Sequence, residues 1–109
     1  MNKIVQIHAG KQPRRPHYIR EWADLRGLKA VEIARAIDAD KSLVSRWFGG
    51  ATPTVDYQER LGALFGTTPE GLFRHPDDDW LTRFFADRSR EEVERIKATM
   101  ETAFPRKAG

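Results

Sequence analysis

The sequence predicts an all-α fold in which seven short helices follow a basic N-terminal arm. Apolar residues recur at spacings of three and four from residue 17 onward, which is the pattern of helices with one buried face. Glycine, proline and aspartate interrupt this pattern at short intervals and mark the ends of the helices. With 109 residues, of which 39% are hydrophobic and 32% charged, the chain is long enough for one small domain.

Composition also excludes several classes of protein. The chain has no cysteine, which excludes disulfides, thiolate zinc sites and thiol catalysis and is typical of a reducing compartment. No run of residues approaches the roughly 18 apolar residues of a membrane span. The first residues also lack the apolar core of a secretory signal. We therefore expect a soluble cytoplasmic protein with no membrane partner.

The net charge of +3 is concentrated at the N-terminus. Residues 1–20 contain five basic and no acidic residues, whereas acids and bases nearly balance in the remainder. Pro13 and Pro16 prevent a helix through Arg14 and Arg15, so residues 1–16 are predicted to form a flexible arm. Such an arm indicates a polyanionic partner such as nucleic acid; the alternative is a solvated tail that binds nothing.

The first three helices each carry an apolar face. The first is predicted from about His17 to Gly27, the second over residues 30–37 and the third over residues 41–48. Between the second and third, Asp38 tolerates the left-handed conformation of a tight turn, and Asp40 is suited to cap the third helix. The predicted inward-facing residues are Ile19, Trp22 and Leu25, then Ile33, Ala34 and Ile37, then Val44 and Trp47.

Two further helices complete a domain predicted to span residues 17–75. The fourth helix runs from about Thr54 to Phe65, and Gly66 ends it. Thr68 and Pro69 are the N-cap and first residue of a short fifth helix. The predicted apolar positions are Val55, Leu61, Leu64 and Phe65 in the fourth helix and Leu72 and Phe73 in the fifth.

Residues 76–109 are predicted to form a helical hairpin. Residues 75–79 are interpreted as a connector, and the sixth helix as starting at Trp80 and ending near Asp87. Ser89 and Glu92 have the spacing of a capping box at the start of the seventh helix. The seventh helix carries an apolar stripe of Val93, Ile96, Met100 and Phe104. The hairpin either packs on the preceding helices or forms a dimer interface, and both remain open.

The second and third helices indicate a function. Two short helices joined by a three-residue turn are the outline of a helix-turn-helix, and Ala34 is small enough for the helices to cross closely. Lysine and arginine match the acceptor atoms of guanine in the major groove, and serine adapts to base or phosphate. The predicted solvent face of the third helix carries Lys41, Ser42, Ser45 and Arg46.

Residues 19–66 resemble the lambda-repressor-like helix-turn-helix domain, also called the XRE family. The resemblance depends on the order and spacing of short segments: Arg26-Gly27-Leu28, Ile33-Ala34, Val44-Ser45-Arg46-Trp47, Gly50, Pro53 and Leu61-Gly62-Ala63-Leu64-Phe65-Gly66. It implies a five-helix domain, extended here by an N-terminal arm and a C-terminal hairpin. It also implies a bacterial or phage transcriptional regulator, of the repressor type, that binds double-stranded DNA as a homodimer on a near-palindromic operator.

The resemblance and the chemistry of the helices together define candidate DNA-binding residues. The third helix is expected to contact bases, chiefly at its start, while the starts of the second and fourth helices contact phosphates. The arm is expected to reach the minor groove or the backbone. The candidates are Lys41, Ser42, Ser45 and Arg46 in the third helix, Lys29, Ala30, Thr52 and Thr54 at the helix starts, and Arg14 and Arg15 in the arm, with Arg26 nearby.

The sequence departs from the family at several positions, including Asp38 in place of the glycine of the turn. Ala30 stands where members usually have a phosphate-binding glutamine. Ala23 and Phe48 stand where many members have an ion pair, and since both charges are absent together, neither is left unpaired. Ala30, Ala23 and the nearly neutral charge of the remaining chain leave open an alternative function, in which the fold is a protein–protein interaction module or an antitoxin-like partner binder.

No catalytic, cofactor or metal site is predicted. The three histidines share no metal-binding spacing, and the aspartates at 77–79 lack the pattern of a calcium loop. The sequence has no nucleophile motif and no glycine-rich phosphate loop. We therefore expect a protein that is not an enzyme, and we expect Trp22, Trp47 and Trp80 to lie in the core.

Overall fold

A computed structural model describes residues 15–106, and this part of the chain is all-α as predicted. It contains no strand, and no described helix is both long and apolar enough to cross a membrane. The elements are α1 (Ile19–Arg26), α2 (Ala30–Ile37), α3 (Lys41–Phe48), α4 (Val55–Phe65), a 3-10 turn (Glu70–Phe73), α5 (Pro76–Phe85) and α6 (Arg90–Ala103).

One hydrophobic core joins the first four helices and the 3-10 turn. Its members recur at intervals of three and four along each helix, so that each helix buries one face. Trp22 and Phe65 stack at its centre with ring centroids 6.2 Å apart. The buried apolar side chains are Tyr18, Ile19, Trp22, Ala23, Ile33, Ala34, Ile37, Val44, Trp47, Leu61, Phe65 and Leu72. The predicted inner faces of α2 and α3 are therefore confirmed.

Several apolar residues predicted on buried faces are exposed instead, and Phe73 at the end of the 3-10 turn is one of them. Leu25 is six residues from Ile19, which turns a helix by about 600° and leaves Leu25 about 120° away from the buried face. Val55 lies in the first turn of α4 and is also exposed. Trp80 is 59% exposed and stacks on Phe84 one turn later, with ring centroids 5.1 Å apart. The prediction that all three tryptophans are core residues is therefore wrong for Trp80.

The start of α5 also differs from the prediction. The helix begins at Pro76 rather than Trp80, because proline is favoured at the first helical position and the ring of His75 accepts the N–H of Asp77 at 3.2 Å. The three aspartates therefore form the first turn of the helix and not a connector. Carboxylates are stabilised at this positive end of a helix.

Asp79 is the most buried of these aspartates and joins three segments of the chain. Only 1% of it is exposed. Its carboxylate accepts hydrogen bonds from the Thr67 hydroxyl at 2.8 Å and the Arg74 guanidinium at 2.7 Å. Gly71 is required beside it, because a Cβ there would collide with Thr67 and come within 2.9 Å of Asp79. This network holds α5 against the end of α4 and the 3-10 turn.

We expect Asp79→Ala to lower the free energy of unfolding by about 2 kcal/mol, because hydrogen bonds to a charged group are lost and Thr67 is left without its partner. Urea denaturation followed by circular dichroism measures the change. Asp77→Ala is the control, since Asp77 lies in the same turn with an exposed side chain. Its expected effect is below about 1 kcal/mol. Equal losses in the two variants would contradict the role given to Asp79.

The last helix, α6, stands apart from the core. None of its residues is buried against the described part of the chain. The Ser89 hydroxyl accepts the N–H of Glu92 at 3.1 Å, which confirms the N-cap predicted there. Of the predicted hairpin, α5 therefore packs on α1 and the 3-10 turn, whereas the stripe of α6 is only partly buried by residues 15–106.

Candidate nucleic-acid interface

The turn between α2 and α3 holds the two helices in a defined arrangement. Asp38 has φ 58° and ψ 58°, the left-handed conformation expected for this position. The N–H of Ala39 donates to the carbonyl of Ala34 at 2.9 Å. Asp40 is the N-cap of α3, but its side chain makes no capping hydrogen bond; its carbonyl accepts from Leu43 instead. The three-residue turn is thus held by main-chain hydrogen bonds.

α3 is divided lengthwise into a buried and an exposed face. Val44 and Trp47 are buried, and they attach the helix to the core. At about 100° per residue, the polar side chains cover an arc of about 140° on the other side. All four are exposed, as predicted: Lys41, Ser42, Ser45 and Arg46. Because α3 contains no acidic residue, this face carries two positive charges and two hydroxyls.

Arg20 adds a third positive charge, and sequence reasoning did not include it among the candidate site residues. It is exposed on α1, and its guanidinium lies 5.7 Å from the centre of the Phe48 ring at the end of α3. Arg20 and Phe48 are 28 residues apart in the sequence, so no local pattern could have revealed this contact. Ala23, one turn after Arg20 on α1, is buried in the core.

A buried histidine positions the loop that follows α3. His17 is fully buried, and its Nδ1 accepts the N–H of Ile19 at 3.4 Å. Nε2 therefore carries the proton and donates to the carbonyl of Ala51 at 2.8 Å. His17 thus connects the start of α1 to the loop at the end of the candidate interface.

Among the described residues, no group of three metal-ligating side chains exists.

The candidate residues at the helix starts are exposed except for Ala30, and their surroundings differ. Lys29 precedes α2, and its N–H donates to the carboxylate of Glu32 at 2.8 Å. A phosphate bound at the start of α2 would lie close to the negative charge of Glu32. The start of α2 at the half-buried Ala30 is therefore less favourable for phosphate binding than the sequence predicted. Thr52 and Thr54 are exposed beside the start of α4, where no side chain caps the helix.

Arg15 belongs to the folded body and not only to an arm. Its guanidinium forms an ion pair with Glu21 at 2.7 Å, and 17% of its side chain is exposed. Burial raises the pKa of the neighbouring Tyr18 hydroxyl, and the carboxylates of Glu21 and Asp78 raise it further. Arg14 lies outside the described residues.

Arg26 is also held by the fold. Its Nε donates to the carbonyl of Phe65 at 2.8 Å, and its guanidinium lies 5.8 Å from the centre of the Trp22 ring. The first contact joins the end of α1 to the end of α4, and the second lies within α1. Of the predicted cations, Lys41, Arg46, Lys29 and Arg26 are exposed, and Arg26 and the partly buried Arg15 also have partners within the protein.

Comparison of the chain with protein-family models, with curated proteins and with solved structures found no match. The function of this surface is therefore inferred from its own shape and chemistry. The polar face of α3 carries two cations, and Arg20 adds a third cation beside it. The opposite side of α3 is buried and attaches the helix to the core.

Proposed function

We propose that the protein is a sequence-specific DNA-binding transcriptional regulator that binds double-stranded DNA as a homodimer on a near-palindromic operator. The observation that carries this proposal is the exposed polar face of α3 opposite its buried anchors, Val44 and Trp47. The proposed role is binding and not catalysis. A bound dimer would repress transcription by covering a promoter.

The chemistry of α3 suits the major groove of DNA. That groove is about 12 Å wide and admits one helix. Lys41 and Ser42 stand at the start of α3, from which such a helix reads base edges, and Arg46 follows one turn later. Since α3 has no carboxylate, nothing on the helix itself repels the phosphates.

The helix arrangement supports the same function. A three-residue turn with a left-handed Asp38 joins α2 to α3. The buried Ala34 of α2 has a small side chain, which allows the two helices to approach closely. These features agree with the helix-turn-helix of a lambda-repressor-like domain, in which α1–α4 and the 3-10 turn would be the five helices. The contact between Arg20 and Phe48 would replace the missing ion pair as a connection between α1 and α3.

Selection of bound sequences from a random DNA library tests the proposal. We expect wild-type protein at near-physiological salt to enrich one motif with two-fold symmetry. A Lys41→Ala, Arg46→Ala variant selected in parallel serves as the control for non-specific enrichment. A folded wild-type protein that enriches no motif would contradict DNA reading. That outcome would favour the protein-interaction module, for which affinity purification of a partner would follow.

A further inference from the structure

α6 presents an apolar face that the described part of the chain covers only in part. Val93 and Ile96 at its start are partly buried, whereas Met100 and Ala103 at its end are exposed. Phe104, directly after the helix, is 80% exposed. The opposite face carries Ala98 and charged residues, so the helix has a distinct polar side. Exposed apolar side chains on one face of an amphipathic helix mark a site of interaction with a partner.

The spacing of the stripe is that of a helix that pairs with another helix. Val93 and Met100 are seven residues apart, and so are Ile96 and Ala103. These four residues occupy the two core positions of successive heptads, with a β-branched Val93 at the first. α6 has 14 residues, which is two heptads, or about 21 Å.

The charges beside the stripe favour an identical helix as the partner. Glu92 precedes the first core position and Lys97 follows the second, five residues later. In a parallel pair, a residue at the position of Glu92 meets the partner residue five places on, so Glu92 of each copy meets Lys97 of the other. Both side chains are about half exposed, and their present partners, Arg88 and Glu94, form weak surface ion pairs within one chain.

The same charges disfavour the antiparallel arrangement. With the apolar residues in register, antiparallel helices would bring the two copies of Lys97 face to face at the centre of the interface. Like charges in this position repel. The positions of Glu92 and Lys97 therefore favour the parallel over the antiparallel orientation.

We infer that α6 is a self-association surface, on which a second copy of the chain packs its own α6 in parallel around a two-fold axis. Val93, Ile96, Met100 and Ala103 of each copy meet their counterparts. This inference deepens the homodimer of the proposed function, because a two-fold axis relates the two copies of α3 as two half-sites require. It is tested without DNA, so its failure is distinguishable from a failure of DNA binding.

Sedimentation equilibrium of the full chain tests the interface. We expect a monomer–dimer equilibrium in the wild type and at least about a 100-fold weaker dimer in Met100→Glu, because two carboxylates would enter the apolar seam. Ala98→Glu is the matched control, since Ala98 lies on the opposite side of α6 and should leave the dimer unchanged. Circular dichroism checks that both variants keep the fold.

A second experiment tests the orientation of the two helices. Because the sequence has no native cysteine, an introduced cysteine is the only thiol that can form a disulfide. In the parallel dimer, a cysteine at position 103 lies beside its counterpart, so Ala103→Cys should form a disulfide-linked dimer under mild oxidation. Ala98→Cys carries the same thiol on the outer face and should remain a monomer in non-reducing gels. In an antiparallel dimer, residue 103 would face residue 93 and not its own copy.

Three results would overturn the inference. The first is a wild-type chain that stays monomeric at the highest concentrations reached, which would mean that another segment or a different protein covers α6. The second is a dimer that persists in Met100→Glu. The third is equal cross-linking of Ala103→Cys and Ala98→Cys, which would exclude the parallel arrangement.

Discussion

Replacing Lys41 and Arg46 together with alanine is expected to weaken binding of the selected operator by about 1,000-fold. Each good contact between a cationic side chain and a base contributes about 1–3 kcal/mol, and two such contacts are lost from each copy of α3. Both side chains are exposed, so the thermal unfolding midpoint should hardly change. Fluorescence anisotropy with labelled operator DNA measures the affinity.

The control for this variant removes the same charge elsewhere. Arg95 and Arg106 are exposed, on the outer side of α6 and after its end, and their replacement with alanine also removes two positive charges. We expect this variant to lose only the small affinity that follows from net charge. Equal weakening by the two double variants would mean that α3 contributes charge alone and reads no sequence.

Replacing Trp47 with alanine is expected to lower the free energy of unfolding by about 4 kcal/mol, because a large buried side chain is removed and a cavity remains. Only 1% of Trp47 is exposed, and its ring lies 5.2 Å from that of Tyr57 on α4. Since small domains have only about 5–15 kcal/mol of stability, this loss is a quarter or more of the total, but the variant should still fold. Urea denaturation measures the change.

Trp80→Ala is the matched control for Trp47→Ala. Trp80 is more than half exposed and packs mainly on Phe84, so its loss should cost no more than about 1 kcal/mol. DNA affinity of this variant should equal that of the wild type. A larger loss of stability for Trp80 than for Trp47 would contradict the description of the core.

Much of the α2–α3 region was predictable because its signals are local. Ile33, Ala34 and Ile37 have helical spacing, and the structure buries all three. Asp38 adopts the left-handed conformation that its turn position requires. The exposure of the four polar residues on α3 follows from the same periodicity once Val44 is assigned to the core. Helix periodicity depends only on neighbours within one or two turns.

The wrong predictions of burial, for Leu25 and Trp80, have a non-local cause. The spacing of Leu25 looks helical, but the buried face of α1 is narrower than the spacing suggests. Trp80 is apolar, and yet no described element covers it. In both cases, burial depends on what packs against the helix and not on the residue itself.

Local sequence patterns were enough to predict the all-α class of residues 15–106, the turn between α2 and α3, and the polar face of α3, because backbone geometry and turn chemistry act over a few residues. Which cations have partners within the protein depends on tertiary contacts. Arg15 is paired with Glu21, Arg26 is held by Phe65, and Arg20 is brought to Phe48. The tertiary structure also decided that α6 stands free of the core, because packing between distant segments depends on which surfaces meet after the chain folds.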